Sequence, residues 1–130
     1  MGFYRKYVES EEDLQAFRVR FGIPKNVIIC LHPRDENLPE ANANILFIRL
    51  TWVYEAGIRF PLHPLFRAMC QYLGLMPRQM ATNMIRVIMG VAALNDKTGS
   101  QMNVREILRH YTINHNQVEV WYFNRRKGEP

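Results

Sequence analysis

Four stretches of this chain repeat apolar residues at three- and four-residue steps, and each is bracketed by residues that start or stop a helix. Leu14, Phe17 and Phe21 form the first stripe. Ser10 stands before it as a good N-cap, and Glu11, Glu12 and Asp13 fill the first turn, where the helix dipole favours carboxylates. A helix is therefore expected over residues 10–21, ended by Gly22 and Pro24. In the second stretch Leu65, Phe66, Met69, Cys70, Leu73 and Leu75 give one buried face. Pro61 and Pro64 fix φ and exclude a continuous helix across residues 60–63, so the chain must turn there; Pro64 suits a first helical position, and Gly74 closes the helix. The third stretch, NMIRVIMGVAAL, follows Thr82 as the expected N-cap and is apolar on nearly every side except Asn83 and Arg86. A helix of that kind belongs at the centre of a bundle. The fourth places Val104, Ile107, Leu108 and Tyr111 on one face behind a capping Asn103, with Arg105 and Arg109 four residues apart on the outer side.

Between these stripes the pattern changes. Val27 to Leu31 is a β-branched apolar run that reads as a short buried strand or extended segment. Residues 33–44, PRDENLPEANAN, are polar and turn-rich, hence an exposed loop. ILFIRLTWVYE, residues 45–55, suits a strand by its β-branched and aromatic content and a helix by Leu46, Leu50, Val53 and a capping Asn44; the helix is favoured, and either way the segment lies deep. NDKTGSQ reads as a loop. At the C-terminal end residues 112–124 read as a hairpin turning at His115-Asn116-Gln117, with Val118, Val120 and Tyr122 alternating with Glu119, Trp121 and Phe123. Both faces of that last strand are partly apolar, so helices are expected on one side and a neighbour such as the Val27 segment on the other. The fold class is mainly α (α+β): a compact bundle of about five helices with a small antiparallel β element that includes the hairpin. One domain spans residues 1–130, with a helical core over 45–95, a helix over 103–111 and a basic tail over 125–130.

Composition adds bounds. A chain of 130 residues with 48% hydrophobic and 22% charged content is long enough to bury a core. No apolar run reaches the roughly 18 to 20 residues of a membrane span. The opening MGFYRKYVESEED holds no apolar signal core, so the chain reads as intracellular, in nucleus or cytoplasm. The net charge of +5 is concentrated in residues 49–109, with eight basic and three acidic side chains. That excess is compatible with an acidic partner or with phosphate contacts, and equally with a solvated surface.

The residues that could carry chemistry are scattered. Metal-assisted strand cleavage or joining needs converging carboxylates, but Asp13, Asp35 and Asp96 fall in a first helical turn, a polar loop and a post-helix loop. His32, His63, His110 and His115 lack zinc-ligand spacing, and hydrogen bonding to nearby backbone accounts for His63 within its turn. GIRFPLHP and GLMPRQ lack the glycines and lysine of a phosphate-cradling loop. Cys30 and Cys70 read as two buried free thiols, with no third group to make Cys30 and His32 a nucleophile pair. Met76, Met80, Met84 and Met89 read as flexible core filling. No catalytic residue, metal or cofactor is expected.

The order of the segments RFGIPKNVIICLHP, YEAGIRFPLHPLFRAMCQYLGLMPRQM, the central apolar helix and YTINHNQVEVWYFNRRKG resembles the plant gypsy-type transposase domain. That domain lies near the start of gag-like polyproteins of long-terminal-repeat retrotransposons and in host proteins derived from them. Gly57, Arg59, Pro61, Pro64, Leu73, Gly74, Pro77, Gln79 and the Trp121-Tyr122-Phe123 run sit where the family pattern has them, over about residues 11–128. A departure falls at Ala81-Thr82-Asn83, where the family more often shows a proline. The resemblance implies no agreed catalytic residues. The gag-like setting, together with more apolar aromatic surface in the hairpin than one face of a sheet can bury, points to a non-enzymatic interaction or assembly module whose partner is another protein or a second copy of itself, docking around Trp121, Phe123, Leu62 and His63. The alternative is a nucleic-acid-binding module in which Arg105, Arg109, Arg125, Arg126 and Lys127 meet DNA or RNA phosphates while Tyr122 or Phe123 stacks on a base. Neither reading involves a membrane or a small-molecule substrate.

Overall fold

The computed structural model describes residues 2–31, 46–117 and 120–126. Among them are six α-helices, one 3-10 turn and a two-stranded antiparallel hairpin, so the mainly α architecture with a C-terminal β element holds. In chain order the elements are α1 (Gly2–Arg5), α2 (Glu11–Arg20), α3 (Leu50–Tyr54), α4 (Pro64–Leu73), the 3-10 turn Pro77–Gln79, α5 (Thr82–Thr98), α6 (Val104–His110), β1 (Tyr111–His115) and β2 (Trp121–Arg125). Around α5, the longest, pack α3, α4 and β2. Its Met84, Ile85, Ile88 and Ala92 are buried. No described helix is long and apolar enough to cross a membrane.

Local chemistry accounts for the boundaries. The Ser10 hydroxyl accepts from the Asp13 amide N–H at 3.0 Å, which starts α2. At the other end Gly22, at φ 66°, lets the Ile23 N–H reach the Arg18 carbonyl at 3.0 Å and its own N–H reach Val19 at 3.4 Å. That pair of bonds is a Schellman closure, which needs a left-handed residue at that position. Pro64 occupies the first turn of α4, whose Leu65, Phe66 and Met69 are buried. Each such side chain contributes about 1.5 to 3 kcal/mol on leaving water. Asn103 and Glu106 cap α6 reciprocally, at 3.2 and 3.4 Å. Gly57 is required by its φ of 85° rather than by space, since a Cβ there would meet the Met89 Cβ of α5 at 3.6 Å, an ordinary contact.

Several expectations are corrected. No strand forms over the described residues 27–31: Ile28 is 86% and Val27 44% exposed, and only Ile29 and Leu31 pack against the core. The ILFIRLTWVYE helix is shorter than its apolar run. It begins at Leu50 behind Arg49, which makes no side-chain cap, while Asn44 and Ile45 lie outside the described residues, as does the 33–44 loop. Thr82 is the first residue of α5, not its cap, and the helix continues through Asn95, Asp96, Lys97 and Thr98, which read as loop. Asn95 explains the extension: its side chain binds Ser100 and Met102 and folds the following loop back onto the helix. Cys30 is exposed and Cys70 half-buried, and both are free, so the thiols are not two core residues. Met80 and Met84 are buried, Met76 and Met89 only partly.

The hairpin pairs Tyr111 with Arg125, Ile113 with Phe123 and His115 with Trp121. His115 is therefore inside a strand, and the connection runs from 116 to 120, with Val118 and Glu119 outside the described residues. This register puts Tyr111, Ile113, Trp121 and Phe123 on one face and Thr112, Asn114, Tyr122 and Asn124 on the other. The outer face carries one aromatic among polar residues, and so no second covering layer is required.

Candidate functional site

The four residues expected to dock a partner fall at opposite ends of α5. Trp121 sits at the N-terminal end, where its carbonyl accepts from the Ala81 N–H at 2.7 Å. His63 sits at the other, its Nε2 3.1 Å from the Asp96 carboxylate. Asp96 lies fifteen positions beyond Ala81 along α5, or about 22 Å at 1.5 Å per residue. Phe123 is only 3% exposed, stacked on Tyr111 with ring centroids 5.3 Å apart, so neither a protein partner nor a base can reach it. Trp121 is half-buried and packs on His115 at 4.6 Å. His63 is fastened twice: Nδ1 accepts from the Leu65 N–H at 3.0 Å, capping α4, while Nε2 faces α5. Its Nδ1 must be unprotonated to accept, so Nε2–H donates to Asp96.

Beside this fastening lies a groove of about 710 Å³. Gly57, Leu62, Met89, Gly90 and Ala93 give it an apolar floor, with Gly90 and Ala93 exposed on α5 because their side chains are too small to fill the space. Its rim is charged. Glu55 accepts from Tyr4 at 2.7 Å and from Arg86 at 2.8 Å, and Asp96 is held by His63. The bond to Glu55 pushes the Tyr4 phenol above its ordinary range. Arg59 donates to the Val53 and Ile58 carbonyls at 2.8 and 2.7 Å and lies over the Phe21 ring. Arg67, exposed on α4, has no side-chain partner among the described residues. Both carboxylates of the groove are thus occupied and one guanidinium is free.

A second cleft, of about 290 Å³, opens at the start of α5 between Arg49, Trp52, Arg78, Ala81, Thr82 and Val120. Among the described residues no carboxylate lines it. Ala81, with φ −71° and ψ 156°, occupies the cap position but has no side chain to cap with. Asn83 spends its amide on the Phe123 carbonyl at 3.2 Å. Met84 and Ile85 return their N–H groups to the Ala81 carbonyl, which leaves the Thr82 and Asn83 N–H groups without a partner among the described residues. Trp52 is fully buried, and its indole Nε1–H has no acceptor. An unanswered buried donor of that kind costs about 1 to 3 kcal/mol. The Arg49 guanidinium stands 6.0 Å from the centre of the Trp52 ring.

Of the basic residues expected to meet phosphates, two are placed by bonds to α6 and to β1. The Arg126 N–H bonds the His110 carbonyl at 2.9 Å and its Nε bonds Leu108 at 3.0 Å, which brings Arg125 and Arg126 to the C-terminal end of α6 beside Arg109. Arg105 is exposed one turn earlier on α6, and Lys127 lies outside the described residues. Tyr122 is on the outer face of the hairpin, next to Asn114.

Among the described residues no three of His, Cys, Asp and Glu converge. Burial pushes the Cys70 thiol up to about 11, far from a thiolate at neutral pH. His32, considered as a partner of Cys30, lies outside the described residues. Sequence reasoning missed the cleft at the start of α5 entirely. Trp52 reads only as one member of an apolar run, and its missing acceptor is a tertiary property. The absence of a capping side chain at Ala81 was the one local signal. No protein-family model, curated protein or solved structure matches the chain.

Proposed function

We propose that this chain is a non-enzymatic docking module that takes a segment of another protein into the groove between the Pro61–Pro64 turn and α5. The observation that carries it is an apolar floor left open by Gly90 and Ala93 beneath a rim whose carboxylates are already engaged and whose Arg67 is free. Apolar side chains flanked by acidic ones complement that surface. The gag-like resemblance agrees with an assembly role, and of the residues first expected to dock, Leu62 and His63 belong to this groove whereas Trp121 and Phe123 do not.

Selection of displayed random nonapeptides tests the reading. Enriched peptides are expected to combine leucine or phenylalanine with aspartate or glutamate, to lose binding when Ala93→Trp fills the groove, and to weaken about tenfold in Arg67→Glu. Binding indifferent to Ala93→Trp would overturn it. Sedimentation showing a dimer that Ala93→Trp dissolves would give the groove to a second copy of the chain instead.

A second reading has its own observation: Arg125 and Arg126 lie beside the C-terminal end of α6, the helix that carries Arg109 and, one turn earlier, Arg105. Such a cluster binds nucleic-acid backbone with a steep salt dependence. A fluorescent single-stranded oligonucleotide that binds at 50 mM salt, releases as salt rises, and is lost in Arg125→Ala with Arg126→Ala is the expected signature; a flat titration at low salt removes this reading.

A further inference from the structure

We infer that His63 is a proton-operated latch: neutral, it ties the start of α4 to α5, and on taking up a proton it releases α4 while keeping its hold on α5. Both ring nitrogens are in use. Nδ1 accepts from the Leu65 N–H at 3.0 Å, and Nε2–H faces the two Asp96 carboxylate oxygens at 3.1 and 3.3 Å. An imidazolium has two N–H donors and no acceptor. A proton on Nδ1 points at another donor, the Leu65 N–H, and the cap cannot survive it. The bond on the other side changes in the opposite sense, because the charged ring adds ion-pair attraction to the hydrogen bond it already donates to Asp96.

The surroundings give this one proton its leverage. Pro64, at the start of α4, has no N–H, so Leu65 carries the first amide donor of the helix and His63 is its cap. A cation is also unfavourable at a helix N-terminus, which adds to the release. Among the described residues, the charged groups lining the groove around His63 are Arg86 and Asp96 on α5, Arg67 on α4, and Glu55 and Arg59 ahead of the turn. Arg86 is bound to Glu55 and Arg59 to backbone carbonyls, and of the five Asp96 alone bonds the ring. The His63 side chain is 24% exposed, so solvent protons reach it, and histidine is the side chain that changes charge between about pH 5 and 8. Because α5 is anchored by Met84, Ile85, Ile88 and Ala92 in the core, the change falls on the Leu62–Pro64 turn. That turn is one wall of the docking groove, but the inference rests on the two bonds of the ring and holds whether or not a partner binds there.

Magnetic resonance spectra of the ¹⁵N,¹³C-labelled chain, recorded from about pH 8 to about pH 5, test the inference. At the upper end the ring is expected as the Nε2–H tautomer, with Overhauser contacts to both the Leu65 amide and the Asp96 β protons. On acidification the Leu65 amide should shift along the same curve as the ring. Its protection against exchange, taken relative to the intrinsic rate at each pH, should fall about tenfold while the contacts to Asp96 persist. His63→Asn keeps a capping oxygen but has no titrating ring, and should hold Leu65 protected across the whole range. Four results would each overturn the latch: an Nδ1–H tautomer in the neutral chain, Leu65 protection unchanged through the titration of the ring, loss of the Asp96 contacts together with those to Leu65, or a pH response of Leu65 that survives in His63→Asn.

Discussion

The two ends of α5 are built from the same helix but treat their polar groups in opposite ways. At the C-terminal end the Gly99 N–H returns to the Asn95 carbonyl at 2.9 Å, and Asn95 itself binds the Met102 carbonyl, the Met102 N–H and the Ser100 hydroxyl. Asp96 reaches across to His63, which in turn caps α4. Every one of these groups has a local answer, and together they fasten three segments. At the N-terminal end the Ala81 N–H and the Asn83 side chain are given to the hairpin, while two backbone N–H groups and the Trp52 indole are left over. Because buried donors are almost always paired in native proteins, the satisfied end contributes stability that the unsatisfied end forgoes.

The largest expected effect lies at the fastened end. Asn95→Ala removes three hydrogen bonds at once and strands the half-buried Met102 N–H, which should destabilise the chain by about 2 to 3 kcal/mol, read as a shift in the urea midpoint. A loss below about 0.5 kcal/mol would mean that the loop does not lean on this side chain, and the contrast between the two ends would fail. His63→Ala comes next. It removes the cap of α4 and the link to Asp96, for about 1 to 2 kcal/mol, and His63→Asn should recover the cap portion alone.

The open end should respond with the opposite sign. Ala81→Asp places a capping carboxylate where the backbone already has cap geometry, next to a bare helix terminus and two arginines. The expected result is a gain of about 1 kcal/mol in stability, read as a shift in the urea midpoint. No gain would mean that the Thr82 and Asn83 N–H groups are already answered, and the contrast between the two ends would fail.

Much of this architecture was legible from the sequence, and the parts that were not share a cause. Ser10, Gly22, Pro64, Gly74 and Asn103 act through bonds within a turn of themselves, and their helices appear where the periodicity put them. The Val27 segment, the shortened helix at Leu50 and the extended end of α5 depend on distant partners, and β-branched content or a polar run cannot report those. His63 shows the boundary within one residue. Its bond to the Leu65 N–H, two residues away, followed from the turn, whereas its pairing with Asp96, thirty-three residues on, did not. The split of the docking patch has the same origin: Trp121 and Leu62 are aromatic and apolar in sequence, but only the packing of α5 decides that one serves the hairpin and the other the groove.

The smallest expected effect tests the unsatisfied end most directly. In Trp52→Phe a fully buried indole is replaced by a smaller ring, and two terms oppose each other. Removing a few tens of Å³ from the core costs about 1 kcal/mol, together with the lost burial of the deleted atoms. Deleting the unpaired N–H returns about 1 to 3 kcal/mol, since its desolvation is no longer borne by the folded state. The terms nearly cancel, and the urea midpoint should move by less than the equivalent of about 1 kcal/mol. The same substitution at a tryptophan whose N–H is bonded loses both the packing and the bond. A loss above about 3 kcal/mol would therefore show that the indole has a partner and would remove Trp52 from the contrast between the two ends of α5. A near-neutral midpoint would sharpen that contrast, because it shows a buried donor that does nothing for the fold at one end of α5 where every donor at the other end is used.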